Sequence, residues 1–267
     1  MAKLSISQAW DESRAVLARD GKLIGTVALA LFVLPGIILD LVMPPAPPGQ
    51  FPPAGPWMAV ALVAILISLI GQLAIIRLAM GPHLTVGEAI SHGARRLIPY
   101  LAAVLIWALP LMIVIALLFA AAGTDPENPS PGVALGLIVV ALIGIYLAVR
   151  FLLMSAVSSA EGTGPGPILK RSWDLSGGNW WRLFAFLFVF AFGAIVLLWA
   201  VGTVTGVVAQ LALGSVEPMT PGGLIVIIVS QLTSALVSLT FFVMLARIYT
   251  QRAQPRSAQA GVPSSGI

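Results

Sequence analysis

Residues 57–79 read Trp-Met-Ala-Val-Ala-Leu-Val-Ala-Ile-Leu-Ile-Ser-Leu-Ile-Gly-Gln-Leu-Ala-Ile-Ile-Arg-Leu-Ala, and this stretch decides the fold. It carries no charge before Arg77. A helix rises about 1.5 Å per residue, so about 20 residues cross a hydrocarbon layer of roughly 30 Å. Five further apolar runs meet the same requirement: Leu23–Met43, Ile98–Ala122, Val133–Met154, Leu183–Val208 and Gly223–Ala246. Six membrane spans are therefore expected. Pro35 and Pro110 lie inside two of them, which lipid tolerates when neighbouring helices satisfy the freed carbonyls. The composition agrees. Of 267 residues, 59% are apolar and 9% are charged, against about 25% charged in a soluble domain, too few to cover a water-facing surface. The mean hydropathy of +1.02 says the same. With no cysteine, disulfides, thiol nucleophiles, thiolate metal sites and iron–sulfur clusters are excluded.

The connectors set the orientation. Residues 44–56 hold seven of the 20 prolines and read as a stiff extended link. Residues 123–132 and Leu213–Gly222 read as turn-rich loops on the same side. None of the 14 Lys and Arg residues falls in these three segments, whereas Asp40, Asp125, Glu127 and Glu217 all lie on that side. The positive-inside rule then places both termini in the cytoplasm. The first span follows a 22-residue amphipathic stretch that contains acids, and no A-x-A cleavage site follows it, so it is expected to stay as an anchor.

An amphipathic segment precedes each odd-numbered span. In the first, Ile6, Ala9, Trp10, Ser13 and Leu17 recur at helical spacing after a Ser5/Gln8 capping box. Eighty residues on, Thr85 and Glu88 form the box, followed by Val86, Ala89, Ile90, Gly93 and Leu97. At an offset of 163, Trp10-Asp11-x-Ser13 matches Trp173-Asp174-x-Ser176, and Arg19 matches Arg182. The even spans end alike, in Ile76-Arg77-Leu78, Val149-Arg150-Phe151 and Ala246-Arg247-Ile248. The expected architecture is all-α: six transmembrane helices and three interfacial amphipathic helices in three parallel pseudo-repeats, about 5–79, 85–154 and 165–247. They form one membrane domain over 1–250, and 251–267 is expected to be a disordered cytoplasmic tail.

The segment Lys170-Arg171-Ser172-Trp173 through Gly178-Asn179-Trp180-Trp181-Arg182 is preceded by Arg150-Phe151 and Glu161-Gly162 and opens a long apolar run. It resembles the glycerophosphodiester-phosphodiesterase membrane-domain family, polytopic bacterial proteins with a Lys/Arg-Ser-Trp…Gly-Asn-x-x-Arg elbow before a span. The motif-level likeness is confined to about 145–185. The resemblance implies an integral module of the bacterial cytoplasmic (inner) membrane. In some members that module is fused to a phosphodiesterase barrel. Here Tyr249–Ile267 after the last span are too short for such a barrel, so hydrolase activity is not carried over and the chain is not expected to be an enzyme.

Candidate chemistry is sparse. His83 and His92 are nine residues apart, on opposite sides of a helical wheel, with only Glu88 near, so neither a metal nor a cofactor is expected. No Walker lysine, G-x-S-x-G elbow or H-E-x-x-H appears. Trp10, Trp173, Trp180 and Trp181 suit headgroup depth, and Arg95, Arg96, Lys170, Arg171 and Arg182 can reach anionic headgroups. The same segments could instead serve as elbows that orient the next span. Arg77, Arg150 and Arg247 are expected to snorkel from the span ends. Asp40 is either an interfacial acid or part of a pathway. Ser230, Ser234 and Ser238 share one face of the sixth span beside Gln231 and Thr233, and Gln72 lies in the second. They serve either helix packing, as expected also of Gly202-x-x-x-Gly206, or the wall of a polar groove. The expected function is a non-catalytic module of envelope or lipid homeostasis. Its partners would be anionic lipids and another membrane protein or a second copy, with no nucleic acid. The alternative is a transporter or permease for a small or lipidic solute.

Overall fold

The computed structural model describes residues 5–46, 52–81, 84–122, 130–217 and 219–253. Among these the fold is all helical: α1 Ile6–Ala28, a π-helical turn Leu29–Val33, α2 Leu34–Val42, α3 Trp57–Met80, α4 Val86–Ala122, α5 Pro131–Arg150, α6 Met154–Glu161, α7 Pro165–Ser176, α8 Trp180–Leu213 and α9 Pro221–Ala253. Six helical stretches are long and apolar enough to cross a membrane, one for each expected span. The chain is a multi-pass membrane protein. His83, Asp125, Glu127, most of the 123–132 loop and the tail beyond Ala253 lie outside the described residues.

Several boundaries differ from the sequence reading. The first two amphipathic segments are not separate elbows: α1 runs through the π-helical turn into α2, and α4 is one helix from Val86 to Ala122. No break separates amphipathic turns from apolar ones, because both keep good helix formers and Pro99 still leaves a helical path. Only the third segment stands alone as α7. There Gly177 and Gly178, the latter at φ 72°, interrupt the chain before Trp180. The fourth span ends at Arg150, and Met154–Glu161 forms a separate buried helix that the sequence reading did not separate. Gln251–Ala253, expected in the tail, are the last residues of α9.

Local chemistry fixes the helix ends. Thr85 Oγ1 accepts from the Glu88 amide at 3.3 Å while Glu88 Oε2 accepts from the Thr85 amide at 2.8 Å, the reciprocal box anticipated. Ser5 caps α1 through the Gln8 amide at 3.3 Å, but Gln8 reaches forward to Glu12 instead of back. Gly162 (φ 67°) and Gly214 (φ 75°) end α6 and α8 in the left-handed conformation.

Packing is concentrated at the end that carries the arginines. Leu73–Ile76 and Leu78–Ala79 of α3, Val243–Ala246 of α9, Ala156 and Val157 of α6, Ile168 of α7 and Leu183 of α8 are buried in one cluster. The apolar faces of the amphipathic turns join it through Ala9, Val16 and Ala89. Gly93 permits a close approach of α4 to α3, since a methyl there would lie 2.5 Å from the Ile70 carbonyl oxygen. By contrast, Leu109, Met112 and Leu117 of α4, Leu135 and Leu142 of α5, and Phe192, Trp199 and Leu211 of α8 are exposed. Lipid tails are as apolar as these side chains, so nothing drives them together in hydrocarbon.

Candidate functional site

Span 1 is irregular where the polar residues gather. Leu34 N–H bonds to Leu29 O, the i→i+5 pattern of a π turn. One residue later Pro35 has no N–H, so it cannot serve the Leu31 carbonyl as an α-helix would require. Ser68 of α3 supplies the missing donor: its Oγ reaches Leu31 O at 3.4 Å. Gly71, one turn from Ser68, leaves room for this turn, because a methyl there would collide with the Phe32 ring at 2.7 Å. Phe32 in turn packs on Phe242, with ring centroids 5.8 Å apart.

Beside the π turn, α2, α3 and α9 enclose a cavity of ≈340 Å³ lined by Phe32, Gly36, Leu39, Ala64, Ile65, Ser68, Leu69, Gln231, Ser234, Ala235 and Ser238. Gln231 Nε2 crosses from α9 to donate to Asp40 Oδ2 at 2.7 Å. Gly36 makes this crossing possible, since a methyl on it would overlap the Gln231 amide. Ser234 and Ser238 lie one turn apart in the wall.

Of the groove residues expected from sequence, the wall holds Gln231, Ser234 and Ser238 and adds Ser68, while Asp40 lies outside the wall and meets it through Gln231. Ser230 is half-buried outside the wall. Gln72 turns to the buried Tyr100 hydroxyl of α4 and is not part of the lining. Ser68 escaped the sequence reading; the Pro35 that leaves a carbonyl needing a donor was the available signal. Gly202 and Gly206, expected at a close helix contact, face open space.

At the arginine-bearing end the headgroup candidates divide. Trp10, Arg95, Lys170, Trp173, Trp181 and Arg182 are exposed. Trp180 is half-buried, stacked on Phe184 at 5.2 Å and on Tyr146 at 5.8 Å. Arg96 lies half-buried against Gly162. Arg171 Nε donates to Glu161 Oε1 at 2.8 Å, and Tyr249 Oη donates to the same oxygen at 2.8 Å. The adjacent carboxylate raises the Arg171 pKa, so its charge is fixed and spent within the protein. From sequence Glu161 stands only as part of the motif before Lys170, and nothing in its spacing marks it as the acceptor for Arg171 and Tyr249.

Two of the span-end arginines, Arg77 and Arg247, reach backbone carbonyls of neighbouring helices, and the third, Arg150, lies on exposed rings. Arg247 donates to the Ala79 carbonyl and Arg77 Nη1 to the Ser159 carbonyl at 3.5 Å, both in last helical turns where carbonyls lack helix partners. Arg150 lies over the Trp173 ring at 4.5 Å and the Tyr146 ring at 5.4 Å. Arg252 donates to the Leu175 and Gly177 carbonyls and so caps α7. Among the described residues no group of three His, Asp or Glu side chains is placed to hold a metal.

Residues 4–252 match a family described as Domain of unknown function (DUF7847). The chain belongs to this family. The DUF7847 match runs from before α1 to the penultimate residue of α9, so it takes in all six candidate membrane helices, the groove and the Glu161 contacts. No curated protein and no solved structure matches the chain.

Proposed function

We propose that this chain is a non-catalytic lipid-binding module of a bacterial cytoplasmic membrane, acting in envelope or lipid homeostasis, with the groove between α2, α3 and α9 as its binding site. One observation carries the reading: Asp40 and Gln231, 191 residues apart in sequence, are joined beside a cavity and a π-helical turn. An ionisable residue in a span is a functional suspect by default, and π turns within helices are frequent at functional sites. At ≈340 Å³ the cavity suits a lipid headgroup or a short chain segment, near the lower bound of about 300 Å³ for ligand pockets. Gln231, held in place by Asp40, would meet the polar part of the ligand while Ser234 and Ser238 line its path. The resemblance to the glycerophosphodiester-phosphodiesterase membrane-domain family favours a lipid ligand.

The rest of the reading follows from the same frame. Both termini face the cytoplasm, and the exposed Trp10, Trp173 and Trp181 with Arg95, Lys170 and Arg182 rest among anionic headgroups of that leaflet. Three parallel repeats are supported by equivalent burial: Ala9, Ala89 and Ser172 at one position, Ser13, Gly93 and Ser176 at the next, and Ile76, Val149 and Ala246 at the span ends. The exposed face of α8 around Trp199 is available to another membrane protein or a second copy.

The test is lipid retained by the full chain after gentle detergent extraction, identified by mass spectrometry, for the wild type, Gln231→Leu and Ser234→Leu. A lipid species lost from both variants, with helix content unchanged, supports the groove. Identical lipid profiles in all three discard it. The groove also favours a second reading, as a pathway for a small or lipidic solute: Asp40→Asn would then stop headgroup-labelled lipid from crossing proteoliposome leaflets without abolishing retention.

A further inference from the structure

A second cavity, ≈370 Å³, opens between the end of α3 and the start of α4, with Arg77, His92, Arg95, Ser91, Gly87 and Glu88 in its wall. Its chemistry is cationic. Arg77 Nε is sealed from solvent with no partner among the described residues, and its Nη1 makes only a long contact to Ser159 O. The unmatched N–H leaves the Arg77 charge under-compensated beside the cavity, and an anion there offsets it through the rest of the guanidinium. His92 Nε2 lies 2.9 Å from the Ser159 carbonyl. A carbonyl only accepts, so the neutral ring carries its proton on Nε2, leaving Nδ1 to take up a second. Ser159 is itself fixed by its hydroxyl on Leu73 O at 3.1 Å. The carboxylate in the wall, Glu88, is turned onto the Thr85 amide and hydroxyl, both at 2.8 Å. Gly87, where a methyl would meet nothing within 4 Å, leaves the cavity open beside the first turn of α4.

We propose that this cleft binds a phosphate-bearing anion, with Arg77 and Arg95 as its cationic ligands. Two guanidiniums present more forked N–H donors than one carboxylate can match, whereas a phosphate offers several oxygens, and the Ser91 hydroxyl can donate to another. The site lies at the arginine-bearing end of α3, apart from the Asp40 groove, and stands or falls without it. A phospholipid headgroup and a free phosphate ester share this chemistry.

The experiment uses the full chain in nanodiscs. In phosphatidylcholine discs, inorganic phosphate and glycerol 3-phosphate are titrated calorimetrically; in a second set, phosphatidic acid is incorporated and retained lipid is measured after detergent exchange. Binding of the soluble esters assigns the free anion, and retention of phosphatidic acid alone assigns the headgroup. In either case Arg95→Gln, an exposed position, lowers affinity by about tenfold or more while Arg14→Gln on α1 leaves it unchanged. Arg77→Gln serves as a second variant, scored only where its helix content and elution profile match the wild type. Absence of binding in both sets, or equal losses in Arg14→Gln and Arg95→Gln, overturns the assignment.

Discussion

Breaking the Asp40–Gln231 contact is the sharpest test of the groove, and its size can be worked out beforehand. Interhelical hydrogen bonds in membranes average about 0.6 kcal/mol and reach about 1.7. This one is short, 2.7 Å, and its acceptor is a carboxylate, which roughly doubles a neutral bond. A coupling energy of about 1–1.5 kcal/mol is expected from the Asp40→Leu, Gln231→Leu double-mutant cycle. The single variants are unequal. Gln231→Leu strands a half-buried carboxylate and costs about 2 kcal/mol, whereas Asp40→Leu strands a neutral amide and costs about half that. Gly36→Ala offers an internal check, because its methyl takes the space of the Gln231 amide. It should destabilise the wild type more than the Asp40→Leu variant, in which Gln231 is free to swing aside. Reversible unfolding in mixed detergent micelles measures all six proteins, the wild type, the three of the cycle and Gly36→Ala in the wild-type and Asp40→Leu chains. A coupling no larger than the about 0.3–0.5 kcal/mol scatter of independent sites refutes the reasoning.

Other outcomes follow from the same geometry. Gly93→Val forces side-chain carbon toward the Ile70 carbonyl and should cost about 1–3 kcal/mol, whereas Gly144→Ala, whose methyl meets only Leu111 at 4.0 Å, should be neutral or slightly stabilising; thermal unfolding compares them. Ser68→Ala removes the donor to Leu31 O and should cost about 0.6 kcal/mol, a loss that Pro35→Ala suppresses by restoring a backbone N–H. At the arginine-lined cleft, burial foremost, and then Arg77, Arg96 and Arg95, lower the pKa of His92, while its bond to Ser159 O opposes the shift in part. The ring, which lies ahead of the apolar part of α4, is therefore neutral at pH 7 and gains charge only below the ordinary histidine range. Affinity for a phosphodiester, whose own charge is constant there, should rise as pH falls from 7 to 5 with Glu88 held ionised by Thr85; His92→Gln should flatten that profile in calorimetric titrations.

The six spans were legible because length and uninterrupted apolar character are local properties of the chain. Helix junctions were less so. Ser-Ala-Val-Ser-Ser-Ala (155–160) falls after the expected end of the fourth span with no helix assigned to it, and only the Phe151–Leu153 turn, with no glycine or proline to announce it, separates α6 from α5. The groove was half legible: Asp40, Gln231, Ser234 and Ser238 stand out as polar groups in apolar runs, and the structure unites them. Gln72 stands out equally, yet α4 places Tyr100 against it, a pairing no spacing within one helix reveals. The basic residues misled for a related reason. Charge counts show how many cations there are, not that Glu161, ten residues before Arg171, and Tyr249, far along the chain, would gather on one of them.

The uneven packing has a mechanical result. Where the arginines lie, three amphipathic faces, a buried short helix and several carbonyl caps bind the helices into a stiff base. Toward the other leaflet the ends of α4, α5 and α8 are bordered chiefly by hydrocarbon, so their tilt answers to the bilayer more than to one another. Thinning or lateral compression of that leaflet would be absorbed by splaying these ends, while the base keeps its shape. The Asp40 groove, at the margin between rigid and compliant halves, is placed to register the strain.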